Sequence, residues 1–181
     1  VPGDQQGGHA RTGRQAGERH AGAVVTVTGP NGSREIPVEA VPAGPGKTNL
    51  AKGEVVSSIT LPPRGKNGGD CYLRFIPRTE MDIAVVGCAV NLRLEGDKIV
   101  EARVALGAVA PTVILSEACA KAIIGTTLDD AALAALAKAA EGEAKPISDK
   151  RGTKEFRIDV AGVLARRAAK IAYDRAKGLT K

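Results

Sequence analysis

Three cysteines and two histidines are the side chains of this sequence best suited to metal binding or nucleophilic chemistry. Cys71, Cys88 and Cys119 are widely spaced among apolar or strand-like residues and form no Cys-x-x-Cys pair. His9 and His20 both lie in the polar stretch at the start of the chain. Because metal and catalytic sites need such groups close together, we predict no metal site, no iron–sulfur cluster and no catalytic residue in this chain. We interpret the cysteines as buried free thiols.

A short glycine-rich stretch is similar to the end of a phosphate-binding P-loop. It reads GPGKT over residues 44–48, and in a P-loop the backbone amides and the lysine surround the phosphates at the start of a helix. The pattern is incomplete, because Val41 stands where its first glycine is required and residues 49–53 are not an amphipathic helix. We therefore predict no nucleoside triphosphate site.

The composition of the 181 residues limits the kind of core and the kind of partner. Aromatic residues make up 2% of the chain and tryptophan is absent, so the core must consist of Ala, Val, Ile and Leu. The net charge of +6 could favour nucleic acids, but so few aromatic rings offer bases almost no stacking surface. We predict no nucleic-acid partner and interpret the basic residues as a solvated or subunit-facing surface.

The chain carries neither a predicted membrane span nor a predicted secretion signal. It lacks an apolar run of about 20 residues, and its first residues have no apolar core of the kind that signal peptides contain. We therefore predict a cytoplasmic protein.

Residues 23–61 show the patterns of strands separated by turns. Residues 1–22 lack apolar periodicity and are predicted to be disordered or unassignable. The stretches AVVTVT and REIPV flank a Gly-Pro-Asn-Gly turn, which predicts a two-stranded ribbon. A Pro/Gly-rich connector follows, and EVVSSITL at 54–61 predicts a further strand.

The second half of the chain combines strands with helices. CYLRFIPR at 71–78 predicts a strand, and two long apolar alternations around the turn at 95–98 predict a hairpin, so three or four antiparallel strands are implied. Helical patterns begin at Ser116 and at Asp129, where acidic residues suit a helix start, and a third helix with one apolar face ends the chain. Strands followed by helices predict an α+β fold with three helices covering one face of the sheet.

Three ordered motifs in this half carry a resemblance to a known family. They are R-x-x-M-D-I-A-x-V-G at 78–87, A-L-G-x-V-A-P-T at 105–112 and P-I-S-D-x-R-G at 146–152. With the segments around them they resemble the FAD-binding medium subunit of the molybdenum hydroxylases, the carbon monoxide dehydrogenase and xanthine dehydrogenase family. The resemblance extends from Gly29 to the C-terminal helix.

The resemblance implies how the chain is divided. In that family an FAD-binding domain precedes a small α+β domain. Residues 23–52 would then be the C-terminal remnant of the FAD-binding domain and its connector, and residues 53–181 would be the carbon monoxide dehydrogenase flavoprotein C-terminal-like domain. The glycine-rich loops that hold the FAD pyrophosphate in the family have no counterpart in residues 1–22.

The resemblance also implies a function and two cofactor-binding residues. The family's subunit passes electrons from iron–sulfur clusters through FAD to an external acceptor, beside an iron–sulfur small subunit and a molybdopterin large subunit. An aliphatic and a basic residue of the C-terminal domain contact the flavin ring there, and they align with Val56 and Arg74. The family usually has lysine at the second position, so the charge is kept. There are three alternatives. Val56 is an ordinary sheet residue, Arg74 is a strand-surface charge, or the chain is a cofactor-free structural or docking module.

Overall fold

A computed structural model of the chain describes residues 21–63, 65–78 and 83–179, so the prediction for residues 1–20 lies outside the described residues. Within those ranges nine strands come first and three helices follow. In chain order they are β1 (Val24–Gly29), β2 (Gly32–Pro37), a short 3-10 helix (Val38–Ala40), β3 (Pro42–Gly44), β4 (Lys47–Thr48), β5 (Val55–Thr60), β6 (Gly68–Phe75), β7 (Val86–Glu95), β8 (Lys98–Gly107), β9 (Ile114–Leu115), α1 (Glu117–Ile123), α2 (Asp130–Glu143) and α3 (Lys154–Ala176). The predicted α+β class is confirmed.

The smaller of the two main sheets is antiparallel and has the strand order β2-β1-β5. The predicted ribbon is confirmed as β1 and β2, whose turn includes Gly32 with a φ of 109°. Val25 and Val27 of β1 are buried, and they form a small core with Ala23 and Val38. The strand predicted at 54–61 forms as β5, and it pairs with β1 rather than with the larger sheet. The division of the chain at residue 53 stays a prediction.

The larger sheet is antiparallel, with the order β6-β7-β8-β9 and a tight β7–β8 turn at Gly96. Helices α1 and α3 pack on one face of this sheet, and α2 packs against both of them. Side chains of alternate strand residues meet the helices in the main core, which includes Val90, Leu92, Leu106, Leu136 and Ala168. The prediction of three helices on one face is thereby confirmed, with the short β9 as the fourth strand.

Each helix begins at a side chain that accepts a hydrogen bond from the first turn. Ser116 accepts from the amide of Cys119, Asp129 from Ala132 and Thr153 from Phe156. These caps satisfy amides that lack a partner within the helix, and the first two occur where the sequence predicts helix starts. No helix within the described ranges is long and apolar enough to cross a membrane.

The three cysteines are free and buried, as the sequence predicts. Burial raises the pKa of the Cys119 thiol to about 11 and raises the pKa of Cys88 further. Since the thiolate is the reactive form, we expect an aromatic disulfide reagent to leave the native protein unmodified at neutral pH and to titrate all three thiols in denaturant. Rapid reaction of a thiol in the native protein would contradict this placement.

An ion pair joins β2 to the residue before β5. Arg34 Nε and Nη2 donate to the two carboxylate oxygens of Glu54 at 2.9 and 2.8 Å, and the Ala51 amide donates to Glu54 Oε2 at 2.7 Å. The hydrogen bond from Arg34, helped by that from Ala51, lowers the pKa of Glu54 to about 2.

The depressed pKa of Glu54 predicts a defined pH dependence of stability. Because the folded pKa lies below the unfolded one, this carboxylate stabilises the fold above about pH 4.3 and ceases to do so as the pH falls towards 2. We expect the melting temperature of the wild type to fall more steeply between about pH 5 and 2 than that of Glu54→Gln. If the melting temperatures of the two proteins fall in parallel with pH, the Arg34–Glu54 pair contributes nothing to stability.

Candidate functional site

Arg74 lies on the face of the larger sheet that the helices do not cover. A Cβ at Gly69 would lie 2.0 Å from the carbonyl oxygen of Ala172 in α3, so the odd-numbered residues of β6 face that helix. Side chains alternate along a strand, and Tyr72 and Arg74 therefore point to the opposite side, which we call the non-helical face. Arg74 is exposed there.

Two glycines follow Arg74 across the strands of the sheet. In the strand register Arg74 is opposite Gly87 of β7, and Gly87 is opposite Gly107 of β8. Both glycines are buried, and neither adds a side chain beside Arg74.

Tyr72 is the polar residue next to Arg74 on this face, and its hydroxyl is unusual. Its oxygen is buried and has no hydrogen-bond partner within the described part of the chain. The hydroxyl lies 3.1 Å from the position that a Cβ of Gly87 would take, so the ring occupies the space this glycine leaves. Burial raises the pKa of Tyr72, and the nearby positive charge of Arg74 opposes that rise.

Sequence reasoning missed Tyr72. The available signal was its spacing of two residues before Arg74 on a predicted strand, which places both side chains on one face.

The smaller sheet contacts the non-helical face through its connecting segments. Arg103 of β8 points to this face, and its Nη2 lies 3.8 Å from Glu39 Oε1. A Cβ at Gly22 would lie 2.6 Å from Arg103 Nη1. The segments that flank β1 and β2 therefore approach the face that carries Tyr72 and Arg74.

Val56 lies in the smaller sheet, on the edge strand β5 and opposite Val27 of β1. Its residue surface is 40% exposed, and its neighbours Val55 and Ile59 are exposed as well. Val56 and Arg74 thus lie in different sheets, and each presents an exposed side chain of the type predicted, one aliphatic and one cationic.

A buried arginine holds the end of β6 that follows Arg74. Arg157 of α3 donates through Nη1 to the carbonyl of Val85 at 3.1 Å, and through Nη2 to Asp149. Val85 in turn donates its amide to the carbonyl of Phe75 at 2.9 Å. Asp149 belongs to the P-I-S-D-x-R-G motif, so this motif fixes the base of the β6–β7 connection. Sequence reasoning found the motif but gave it no role.

Among the described residues, His, Cys, Asp and Glu side chains form no group of three or more that could hold a metal ion. The candidate site consists of the exposed side chains of Val56 and Arg74.

The larger sheet and its helices form an α+β domain, which has four antiparallel strands and three helices on one face. The family model described as "CO dehydrogenase flavoprotein C-terminal domain" matches residues 72–172, which is more than half of the chain. The chain belongs to this family.

Known proteins extend the likeness beyond the matched residues. The carbon monoxide dehydrogenase medium chain of Afipia carboxidovorans is 35% identical over 176 residues, covering 94% of this chain and 61% of that protein. The putative xanthine dehydrogenase FAD-binding subunit XdhB of Escherichia coli K12 is 29% identical over 157 residues, covering 86% and 54%. A structure of reconstituted CO dehydrogenase from Oligotropha carboxidovorans gives a TM-score of 0.85 at 33% identity, covering 93% of this chain and 60% of that one.

The chain thus spans between half and two thirds of the length of the relatives it matches.

Proposed function

We propose that this chain is the part of an FAD-binding, electron-transfer subunit that contacts the flavin ring in a molybdenum hydroxylase. Its partners in the proposal are an iron–sulfur small subunit, which supplies electrons, and a molybdopterin large subunit, which oxidises the substrate in the cytoplasm. Family membership and relatives named as medium or FAD-binding subunits support this proposal. The observation that carries it is the exposed cationic side chain of Arg74, at the position that aligns with the family's basic flavin contact.

The residues present fit a flavin ring by chemical type and charge. The ring needs an apolar contact and gains negative charge on reduction, and the exposed side chains of Val56 and Arg74 offer an apolar contact and a cation. FAD, when bound, would supply the redox chemistry, and the protein would place and tune it. Arg74 keeps its positive charge at any physiological pH, so it would favour added negative charge on the ring.

The electrostatic role of Arg74 gives a direct test of the proposal. Charges close together near a protein surface interact by a few kcal/mol, so losing this cation should make flavin reduction harder. In the purified complex that contains this chain, we expect Arg74→Gln to lower the two-electron midpoint potential of FAD by about 30 mV or more, which corresponds to ~1.4 kcal/mol.

Two variants serve as controls for this measurement. Arg74→Lys keeps the charge and should leave the potential near that of the wild type. Arg166→Gln removes an equal charge from an exposed position on α3, on the opposite side of the sheet, and should also leave it unchanged. Equal shifts in Arg74→Gln and Arg166→Gln would mean that Arg74 has no special relation to the ring.

A further inference from the structure

The outward face of α3 carries a row of exposed side chains. Phe156, Val163, Arg167 and Lys170 follow one another at steps of seven, four and three residues, which places them on one side of the helix. All four are exposed, and Phe156 and Val163 keep 42% and 43% of their surface accessible. We call these four residues the α3 row.

The C-terminal half of the α3 row is cationic, and its charges are not paired. Within the described ranges Arg167, Lys170 and the adjacent exposed Arg166 form no ion pair and no side-chain hydrogen bond. Glu141 of α2 lies against Gly162, one turn before these cations, and does not bond to them. Like charges three and four residues apart repel one another on a helix, so the cluster destabilises α3 unless carboxylates come from elsewhere.

The N-terminal half of the α3 row is apolar. Phe156 packs edge-on against Phe75, which is also exposed, with the ring centroids 5.9 Å apart. Val163 lies two turns further along, and the exposed Asp159 lies between them in the sequence. Exposed aromatic side chains together with arginine are typical of protein–protein interfaces.

The other classes of partner fit this surface less well. A nucleic acid is held by many more phosphate contacts than three cations provide. A helix that lies on a membrane needs a broad apolar face, and α3 turns its apolar face into the core. The α3 row therefore fits a protein surface that combines apolar side chains with carboxylates.

We propose that the α3 row is a docking surface for the iron–sulfur small subunit, which meets the apolar half with apolar side chains and the cationic half with carboxylates. The inference rests on the proposed function, which names this subunit as the source of electrons. Phe75, at the apolar end of the row, directly follows Arg74 in β6. A subunit docked on the row therefore borders the end of β6 that carries Arg74, and an electron donor has to lie close to the flavin.

Charge reversal tests the cationic half of the row. With the full chain and the purified iron–sulfur subunit at about 0.15 M salt, we expect Arg167→Glu combined with Lys170→Glu to weaken association about 100-fold, because repulsion replaces attraction. Raising the salt to about 1 M should weaken association of the wild type far more than that of the variant. Val163→Ser removes one apolar contact and should weaken association about 5-fold.

A matched control reverses two lysines outside the helices. Lys47 and Lys52 are exposed, and Lys47→Glu combined with Lys52→Glu changes the net charge by the same amount. We expect this variant to bind the subunit within about 3-fold of the wild type, since charges far from the interface are screened at this salt concentration. Every variant should melt close to the wild-type temperature, because the replaced side chains are exposed, so a loss of association reports on the surface and not on the fold.

The outcomes separate this inference from the proposed function. Association that the reversal of Arg167 and Lys170 leaves unaltered would overturn the docking surface and leave the proposed function standing. A wild-type chain that does not associate with the iron–sulfur subunit would overturn both the surface and the partner in the proposed function. A reversal that abolishes self-association or binding to anionic phospholipid vesicles, with the subunit still bound, would also overturn the inference, because the row would then serve another occupant.

Discussion

Replacing Arg157 by alanine is expected to lower the free energy of unfolding by about 3 kcal/mol or more. The arginine side chain is 1% exposed, and it donates to Asp149 and to the carbonyl of Val85. Its loss opens a cavity, leaves the Val85 carbonyl without this donor, and deprives a partly buried carboxylate of its cation. Breaking one side of such a buried pair is among the few single changes that cost this much.

Urea denaturation of Arg157→Ala and of Arg166→Ala compares the unfolding free energies of two substitutions in the same helix. Arg166 is exposed on α3, so its replacement should change the unfolding free energy by no more than about 0.5 kcal/mol. A similar small change in Arg157→Ala would contradict the structural role of the pair.

The same pair should be sensitive to acid. Partial burial acts to raise the pKa of Asp149, but hydrogen bonds from the Arg151 amide and from Arg157 hold it below its ordinary value. A carboxylate with a depressed folded pKa stabilises the protein above its unfolded pKa and loses this effect as the pH falls. Arg157→Ala should therefore lose less stability than the wild type on acidification.

Replacing Gly69 by alanine is expected to destabilise the protein by about 3 kcal/mol, at the upper end of the usual range for overpacking. The added Cβ would lie 2.0 Å from the carbonyl oxygen of Ala172 and 2.6 Å from the amide nitrogen of Ala176. Both are backbone atoms of α3, so the helix must move away from β6 rather than a side chain rotate. This close approach is what the glycine permits.

Gly142 is the matched control for this substitution. It is exposed in α2, and a Cβ added there would meet nothing within 4 Å. Because alanine restricts the unfolded chain and suits a helix, we expect Gly142→Ala to raise the unfolding free energy by about 0.4–1 kcal/mol. Equal effects of the two substitutions would mean that α3 does not pack on Gly69 as described.

Local patterns predicted most of the individual elements. The β1–β2 hairpin and the β7–β8 hairpin follow from apolar alternation around turns that contain Gly32 and Gly96. The starts of α1 and α2 follow from Ser116 and Asp129, whose side chains cap the helices. These features depend on residues close together in the sequence, and the sequence shows such neighbours directly.

Long-range partners could not be predicted from local patterns. The strand β5 has the composition of a strand, yet only the structure places it beside β1 instead of β6. Arg157 lies 72 residues from Val85 in the sequence. Its spacing of four and seven residues from the buried Ala161 and Leu164 places it on the apolar face of the helix, but nothing local shows that Val85 is its partner.

The candidate site was predicted through resemblance more than through chemistry. Val56 and Arg74 align with family positions, and both side chains are exposed in the structure, but their contact with FAD stays a proposal. The Tyr72 hydroxyl lay beyond sequence reasoning, because an unsatisfied group is defined by what surrounds it in space.

The flavin content of the complex that contains this chain tests the central proposal most directly. The complex would be purified under native conditions, its visible absorption recorded, and the FAD released by denaturation quantified against the chain. The proposed function predicts that denaturation releases FAD equimolar with the chain. A complex that holds an iron–sulfur partner but releases no FAD on denaturation would contradict it and would favour a cofactor-free docking module.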